Sequence, residues 1–163
     1  MGLTLPGALE TLLNDLGFTW PEVDESQLFD LGSQWTGLAG PLAQAQQSAG
    51  TAAQQVLSTN QGDAVDAFLA KWSGENAPAR VLGDAANGVE MGGAAIMMCA
   101  GVVLALKVNT LANVAILAAE IAEALATAVP TFGASLAEIP VFKEVTQRVI
   151  NAAINEAVNA ILS

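Results

Sequence analysis

The feature that most constrains the fold is a polar turn at residues 60–62, which separates two stretches with helical patterning. Beyond it, Asp63 and Asp66 lie where a helix begins, and negative charge is favourable in the first helical turn. Phe68 and Trp72 follow one turn apart. This pattern predicts a helix from about Asp63 to Trp72 and, with the helix before it, an antiparallel helical hairpin.

The first arm of this hairpin is predicted from about residue 24 to residue 58. Its apolar positions alternate at spacings of three and four, which is typical of a coiled-coil seam. The seam consists of Leu28, Leu31, Trp35, Leu38, Leu42, Ala45, Ala49, Ala52 and Val56. We predict that its first five residues form a structural core together with Trp20, and that Gly40-Pro41 kinks the helix because proline removes a backbone donor.

The rest of the chain also has helical patterning, and alanine, the best helix former, is abundant. The predicted fold class is therefore all-α: a long antiparallel helical hairpin extended into a multi-helix bundle. We expect residues 1–163 to form a single helical domain. Its predicted parts are an N-terminal helix and linker at 1–22, the hairpin at 23–75, a long central helix at 78–129 and an amphipathic helix at 141–163.

Composition argues against catalysis and against nucleic-acid binding. The net charge is -11, and every charged residue before Lys71 is acidic, so phosphate backbones are repelled. Histidine is absent, which removes the usual general base and most zinc sites. We therefore expect no catalytic, cofactor-binding or metal-binding residues and no enzymatic activity.

Two acidic groups allow more than one interpretation. Glu22, Asp24 and Glu25 could bind calcium, but the ligand spacing of a calcium loop is missing, and a favourable charge at a helix start is the simpler explanation. Glu120 and Glu123 could act as paired carboxylates, but without a second pair of carboxylates the polar stripe of a bundle helix is the favoured interpretation.

The central helix raises the question of a membrane. Residues 91–106 carry no charge, but a transmembrane helix needs about 20 apolar residues. Lys107 would lie near the middle of any longer span, which is costly. A buried bundle helix is the favoured interpretation, and insertion of residues 91–129 into a membrane is the alternative.

Several local patterns together resemble a known family. Trp20-Pro21 is followed by acidic residues, Trp35 lies within the first long helix, and Gly62-Asp63-Ala64-Val65-Asp66-Ala67-Phe68 is followed by Trp72. An alanine-rich helix containing Lys107 then precedes Thr131-Phe132-Gly133. The chain resembles the WXG-like substrates of type VII secretion in actinobacteria, in particular the N-terminal domains of polymorphic toxins of the outer-membrane channel toxin type.

This resemblance implies a non-catalytic targeting and delivery domain of a secreted toxin. It would pair with a small helical WXG-like protein, or with itself, and be presented to the type VII secretion ATPase. It would be made in the cytoplasm and reach the cell surface or medium without a cleavable signal peptide. The residues that it places in the hairpin motif and partner interface are Asn60, Gly62, Asp66, Phe68 and Trp72.

The chain departs from the family pattern in two places. The turn reads Asn60-Gln61-Gly62 instead of Trp-x-Gly, and the tyrosine-containing export signal of the family cannot lie in a chain without tyrosine. Two other functions fit the helical pattern. One is a pore- or channel-forming domain that inserts residues 91–129 into a membrane, and the other is an oligomerising scaffold.

Overall fold

The computed structural model describes residues 2–163, among which there is no β-strand. The all-α fold class is confirmed. The helices are α1 (Gly7–Asp15), α2 (Glu25–Gly37), α3 (Ala39–Thr59), α4 (Asp63–Trp72), α5 (Pro78–Ala126) and α6 (Ile139–Leu162), with a short 3-10 helix at Ala134–Glu138 before α6. The helix predicted over residues 63–72 has the expected bounds.

The predicted helix over residues 24–58 is divided in two at Leu38. The Leu38 amide donates to the carbonyl of Trp35, three residues back, at 3.1 Å, and α3 then starts at Ala39. Pro41 consequently lies in the first turn of α3, where a backbone donor is not needed. The expected kink at Gly40-Pro41 is therefore a helix boundary that precedes both residues.

The chain divides into two compact units, which are described separately. The terminal unit contains the residues up to Gln27 together with Cys99–Ser163, and the hairpin unit contains Leu28–Met98. Helices α2 and α5 each contribute residues to both units.

The terminal unit has a conventional apolar core. Leu13 and Leu16 from α1 and its C-terminal end, Val114 and Leu117 from α5, and Ile150 from α6 form one buried cluster. Full burial of such a side chain stabilises the fold by about 1.5–3 kcal/mol. The side chains packed around this cluster are Leu5, Leu9, Leu12, Phe18, Trp20, Ile121, Phe142 and Ile154. Trp20 therefore packs against a core, although this core is not the predicted seam.

The hairpin unit is held together by small residues. A Cβ atom on Gly32 of α2 would lie 2.7 Å from the carbonyl oxygen of Gly93 of α5, and one on Gly93 would lie 2.6 Å from the carbonyl oxygen of Gly32. The two backbones therefore meet directly at this point. The buried apolar residues of this unit are Ala53, Ala77 and Ala86.

Candidate protein-interaction site

The turn between α3 and α4 is built by two residues of the predicted motif. The Asn60 side-chain amide donates to the carbonyl of Val56 at 3.0 Å and so satisfies a free carbonyl at the end of α3. Gly62 has a φ of 108° and a ψ of 176°, a conformation that is essentially restricted to glycine. Its carbonyl accepts hydrogen bonds from the amides of Val65 and Asp66, which starts α4.

Phe68 and Trp72 pack on each other beyond this turn. Their ring centroids are 5.7 Å apart, and the ring planes are inclined by 19°. Both side chains are half-buried, and Asp66 is exposed at the start of the same helix. Phe68 and Trp72 of the predicted motif therefore form an aromatic pair on α4 that is only partly covered within this chain.

The structure corrects the predicted structural core. Leu28 and Leu42 are only half-buried, and Leu31, Trp35 and Leu38 are exposed, with 43% of the Trp35 surface and 52% of the Leu38 surface accessible. Val56, near the end of the seam, is exposed as well. Within this chain, the seam is therefore an apolar surface of α2 and α3.

The reason for this difference lies in the small residues beside the seam. Gly32 and Gly93 allow the backbones of α2 and α5 to meet, so the face of α2 that contains Gly32 points inward. Trp35 then lies at the edge of this contact, beside Gly92, where an added Cβ would be 3.4 Å from the indole ring. A heptad pattern identifies an apolar face, but it does not say which surface covers that face.

A second arrangement, in the terminal unit, surrounds a buried charge. We call Trp20, Glu25 and Lys107 the clasp. Lys107 is 2% exposed and Glu25 is 4% exposed. The Lys107 ammonium group donates to a Glu25 carboxylate oxygen at 2.8 Å and to the carbonyls of Val23 at 2.6 Å and Leu3 at 3.3 Å. It also lies 5.7 Å from the centroid of a Trp20 ring, within range of a cation–π interaction.

The carboxylate of the clasp has further partners. Glu25 accepts a hydrogen bond from the Leu3 backbone amide, and the Trp20 indole N–H donates to the Leu3 carbonyl at 3.3 Å. The hydrogen bond from Lys107 and the one from Leu3 lower the pKa of Glu25 from 4.5 to about 2. The carboxylate therefore stays ionised at any physiological pH.

Sequence reasoning missed this ion pair. Glu25 does lie in the first turn of α2, as the sequence predicts. Its neighbour Asp24 caps the helix, since the Asp24 carboxylate accepts hydrogen bonds from the amides of Ser26 at 3.0 Å and Gln27 at 3.2 Å. The available signal was Lys107 itself, because a charge in an apolar helix needs a buried partner.

Two features bear on the other predicted sites. Among residues 2–163, no group of three or more Cys, Asp or Glu side chains is arranged to hold a metal ion. Helix α5 is long and apolar enough to cross a membrane, with a mean hydropathy of 2.0 in its most apolar window, of which 11% is buried. The core helices of soluble proteins that reach this length and hydropathy are mostly buried, and this window is not, so the expected burial of the helix within the bundle is not observed. Length and composition alone do not establish a membrane span.

Comparisons with known proteins address the family. Searches against curated proteins and against solved structures gave no significant match. The model of the WXG100-like domain matches residues 7–149, which is most of the chain. This range includes the hairpin, the exposed seam and the clasp residues Trp20, Glu25 and Lys107. The chain thus belongs to the WXG100-like domain family and is a helical protein related to type VII secretion.

Proposed function

We propose that this chain is a non-catalytic delivery domain of a type VII-secreted toxin, which pairs with a small helical WXG-like protein and is then presented to the secretion ATPase. In this proposal the chain is made in the cytoplasm and exported without a cleavable signal peptide. Family membership supports the secretion route. The attached toxin, the helical partner and the presentation to the ATPase go beyond family membership and are our proposal.

The exposed seam is the observation that supports pairing with a helical partner protein. Leu31, Trp35 and Leu38 repeat at coiled-coil spacing and are exposed. Exposed apolar side chains that are grouped on one surface mark sites of protein interaction. A helical partner with a matching apolar stripe would cover them. Trp35 would be the main anchor, because tryptophan is enriched among the residues that dominate binding energy. Phe68 and Trp72 would extend this surface at the turn.

Co-expression with a small helical WXG-like protein from the same genome tests the pairing. We expect the two proteins to co-purify as a stoichiometric complex. The Trp35→Ala variant should weaken the complex by about 2 kcal/mol or more, which is at least about 30-fold in Kd. Gln34→Ala is the matched control, because Gln34 is exposed on the same helix but lies outside the seam.

A different result would contradict this interface. If Trp35→Ala and Gln34→Ala bind the partner equally well, the seam is not the contact surface. If the chain alone forms a stable dimer by light scattering and Trp35→Ala dissociates it, the partner is a second copy, as in the scaffold alternative. An export assay in the producing strain then tests delivery separately, since pairing without export would leave only the scaffold function.

A pore-forming domain is the second candidate, and the apolar helix α5 favours it. In this candidate, residues 91–129 enter a membrane and carry Lys107 with them. Leakage from vesicles at mildly acidic pH is the test. Release of a trapped dye by the purified chain would support a pore, whereas intact vesicles together with a stable soluble complex would favour delivery.

A further inference from the structure

The backbone of Leu3 is bound at both of its polar atoms by the clasp. Its amide donates to the Glu25 carboxylate, and its carbonyl accepts from Lys107 and from the Trp20 indole, each at 3.3 Å. The clasp thus makes hydrogen bonds to main-chain groups that almost any peptide has. We call residues 2–5 the strap, since they extend across the clasp before α1 begins at Gly7.

The residue before Leu3 meets a steric limit. A Cβ atom on Gly2 would lie 2.7 Å from a Glu25 carboxylate oxygen and 3.1 Å from an Asp24 carboxylate oxygen. The Glu25 carboxylate is fixed by the ion pair with Lys107 and cannot move aside without breaking it. This position of the strap therefore selects glycine.

An empty clasp would be unfavourable. Without the strap, the Lys107 ammonium and the Trp20 indole would each lose the Leu3 carbonyl, and Glu25 would lose the Leu3 amide. Buried polar groups that lack a partner destabilise a protein, so another backbone that supplies these groups would be favoured. A cleft of about 320 Å³ lies beside the bound strap, and it is lined by residues 2–4 of the strap, by Trp20 and Lys107 of the clasp and by residues 21–24.

We propose that the clasp is a peptide-binding site, which its own strap fills and which accepts, in trans, an extended uncharged peptide with glycine followed by an apolar residue. The ligand contributes one amide and one carbonyl, and the glycine avoids Glu25. The site recognises extended backbone, so its ligand differs from the helical partner of the seam. The proposal does not depend on the role in secretion.

Full-length chains with a displaced strap provide the test. In the Gly2→Val variant, the new side chain should push the strap off the clasp, and Leu3→Pro should do the same by removing the amide hydrogen bond. Hydrogen exchange of the strap amides shows whether the strap is released, and circular dichroism checks that the helices remain. The probe is a fluorescent peptide, Gly-Leu-Thr-Leu, blocked at both ends and measured by anisotropy.

We expect saturable binding to both variants and at least about tenfold weaker binding to the unmodified chain, because its own strap competes at high effective concentration. The peptide Val-Leu-Thr-Leu should bind about tenfold more weakly. Adding Lys107→Met to Gly2→Val should abolish binding. The proposal is overturned by equal binding of the two peptides, by no binding to a variant with a released strap, or by a strap that neither substitution releases.

Discussion

The Lys107 ammonium group has three N–H donors, and its oxygen partners on Leu3, Val23 and Glu25 use all three. An isolated buried charge would be strongly destabilising, so the ion pair and the two carbonyls are what make a lysine tolerable inside this helix bundle. Removing one partner should harm the fold more than replacing both with apolar residues of similar size.

The variants Lys107→Met, Glu25→Met and the double variant test this coupling. Each single variant leaves a buried charge unpaired and should lower Tm by more than any substitution of an exposed residue. The double variant should recover most of the loss, because no charge then remains in the clasp. If the two losses simply add, the ion pair is not the reason for the effect. Thermal unfolding followed by circular dichroism measures all three.

The low pKa of Glu25 predicts how the stability of the fold changes at acidic pH. Its folded-state pKa of about 2 is below the value of 4.5 expected in the unfolded chain. Between these values the unfolded state binds more protons, so stability falls as the pH decreases from about 4.5 to 2. The Glu25→Gln variant lacks this contribution, and its urea midpoint should approach that of the unmodified chain over this range. A constant difference between the two midpoints would show that Glu25 does not titrate as described.

At the scale of the elements, the close contact of α2 with α5 depends on the absence of side chains. Gly93→Ala would place a methyl group 2.6 Å from the Gly32 carbonyl oxygen and 2.8 Å from the Thr36 amide nitrogen. Such crowding typically costs about 1–3 kcal/mol. Gly88→Ala is the matched control on the same helix, because nothing lies within 4 Å of its added Cβ and alanine favours a helix by up to about 1 kcal/mol.

Urea unfolding of both variants measures this difference. The Gly93→Ala midpoint should decrease, and the Gly88→Ala midpoint should increase slightly. A stable Gly93→Ala protein with unchanged helicity would indicate that α2 and α5 do not approach each other at Gly32 and Gly93.

The aromatic pair of α4 gives another prediction at this scale. Phe68 and Trp72 stack on each other but are only half-buried, so each alanine substitution should cost less than the roughly 3–5 kcal/mol of a fully buried aromatic residue. A double-mutant cycle should give a coupling energy of about 0.5–1.5 kcal/mol. A coupling near zero would mean that the two rings act independently.

The sequence predicts correctly the features that depend on residues close together along the chain. The bounds of α4 follow from Gly62, the acidic first turn and the polar segment after Trp72. The break at Leu38 and the inward face of α2 were missed, because Gly32 meets Gly93 only through tertiary contact. The partnership of Glu25 with Lys107 joins residues 82 positions apart, and no short pattern reveals it.

For the whole molecule, charge is the property with the clearest consequence. The net charge of -11 and the acidic N-terminal half create a field that repels polyanions. We expect no binding to double-stranded DNA at low salt, even at the roughly micromolar to 100 micromolar concentrations at which basic proteins bind it non-specifically. Fluorescence anisotropy with a labelled duplex measures this, and saturable binding would refute the exclusion of nucleic acid.

Because Lys107 is buried, the reactivity of its amine also reports whether the helices around it remain packed. Of the three lysines in the chain, Lys71 is exposed and Lys143 is half-buried, while Lys107 is almost inaccessible. An acylating reagent should label the first two rapidly and leave Lys107 untouched until the helices around it separate. Mass spectrometry of the digested protein can therefore follow the opening of the terminal unit at a single amine, without any engineered probe.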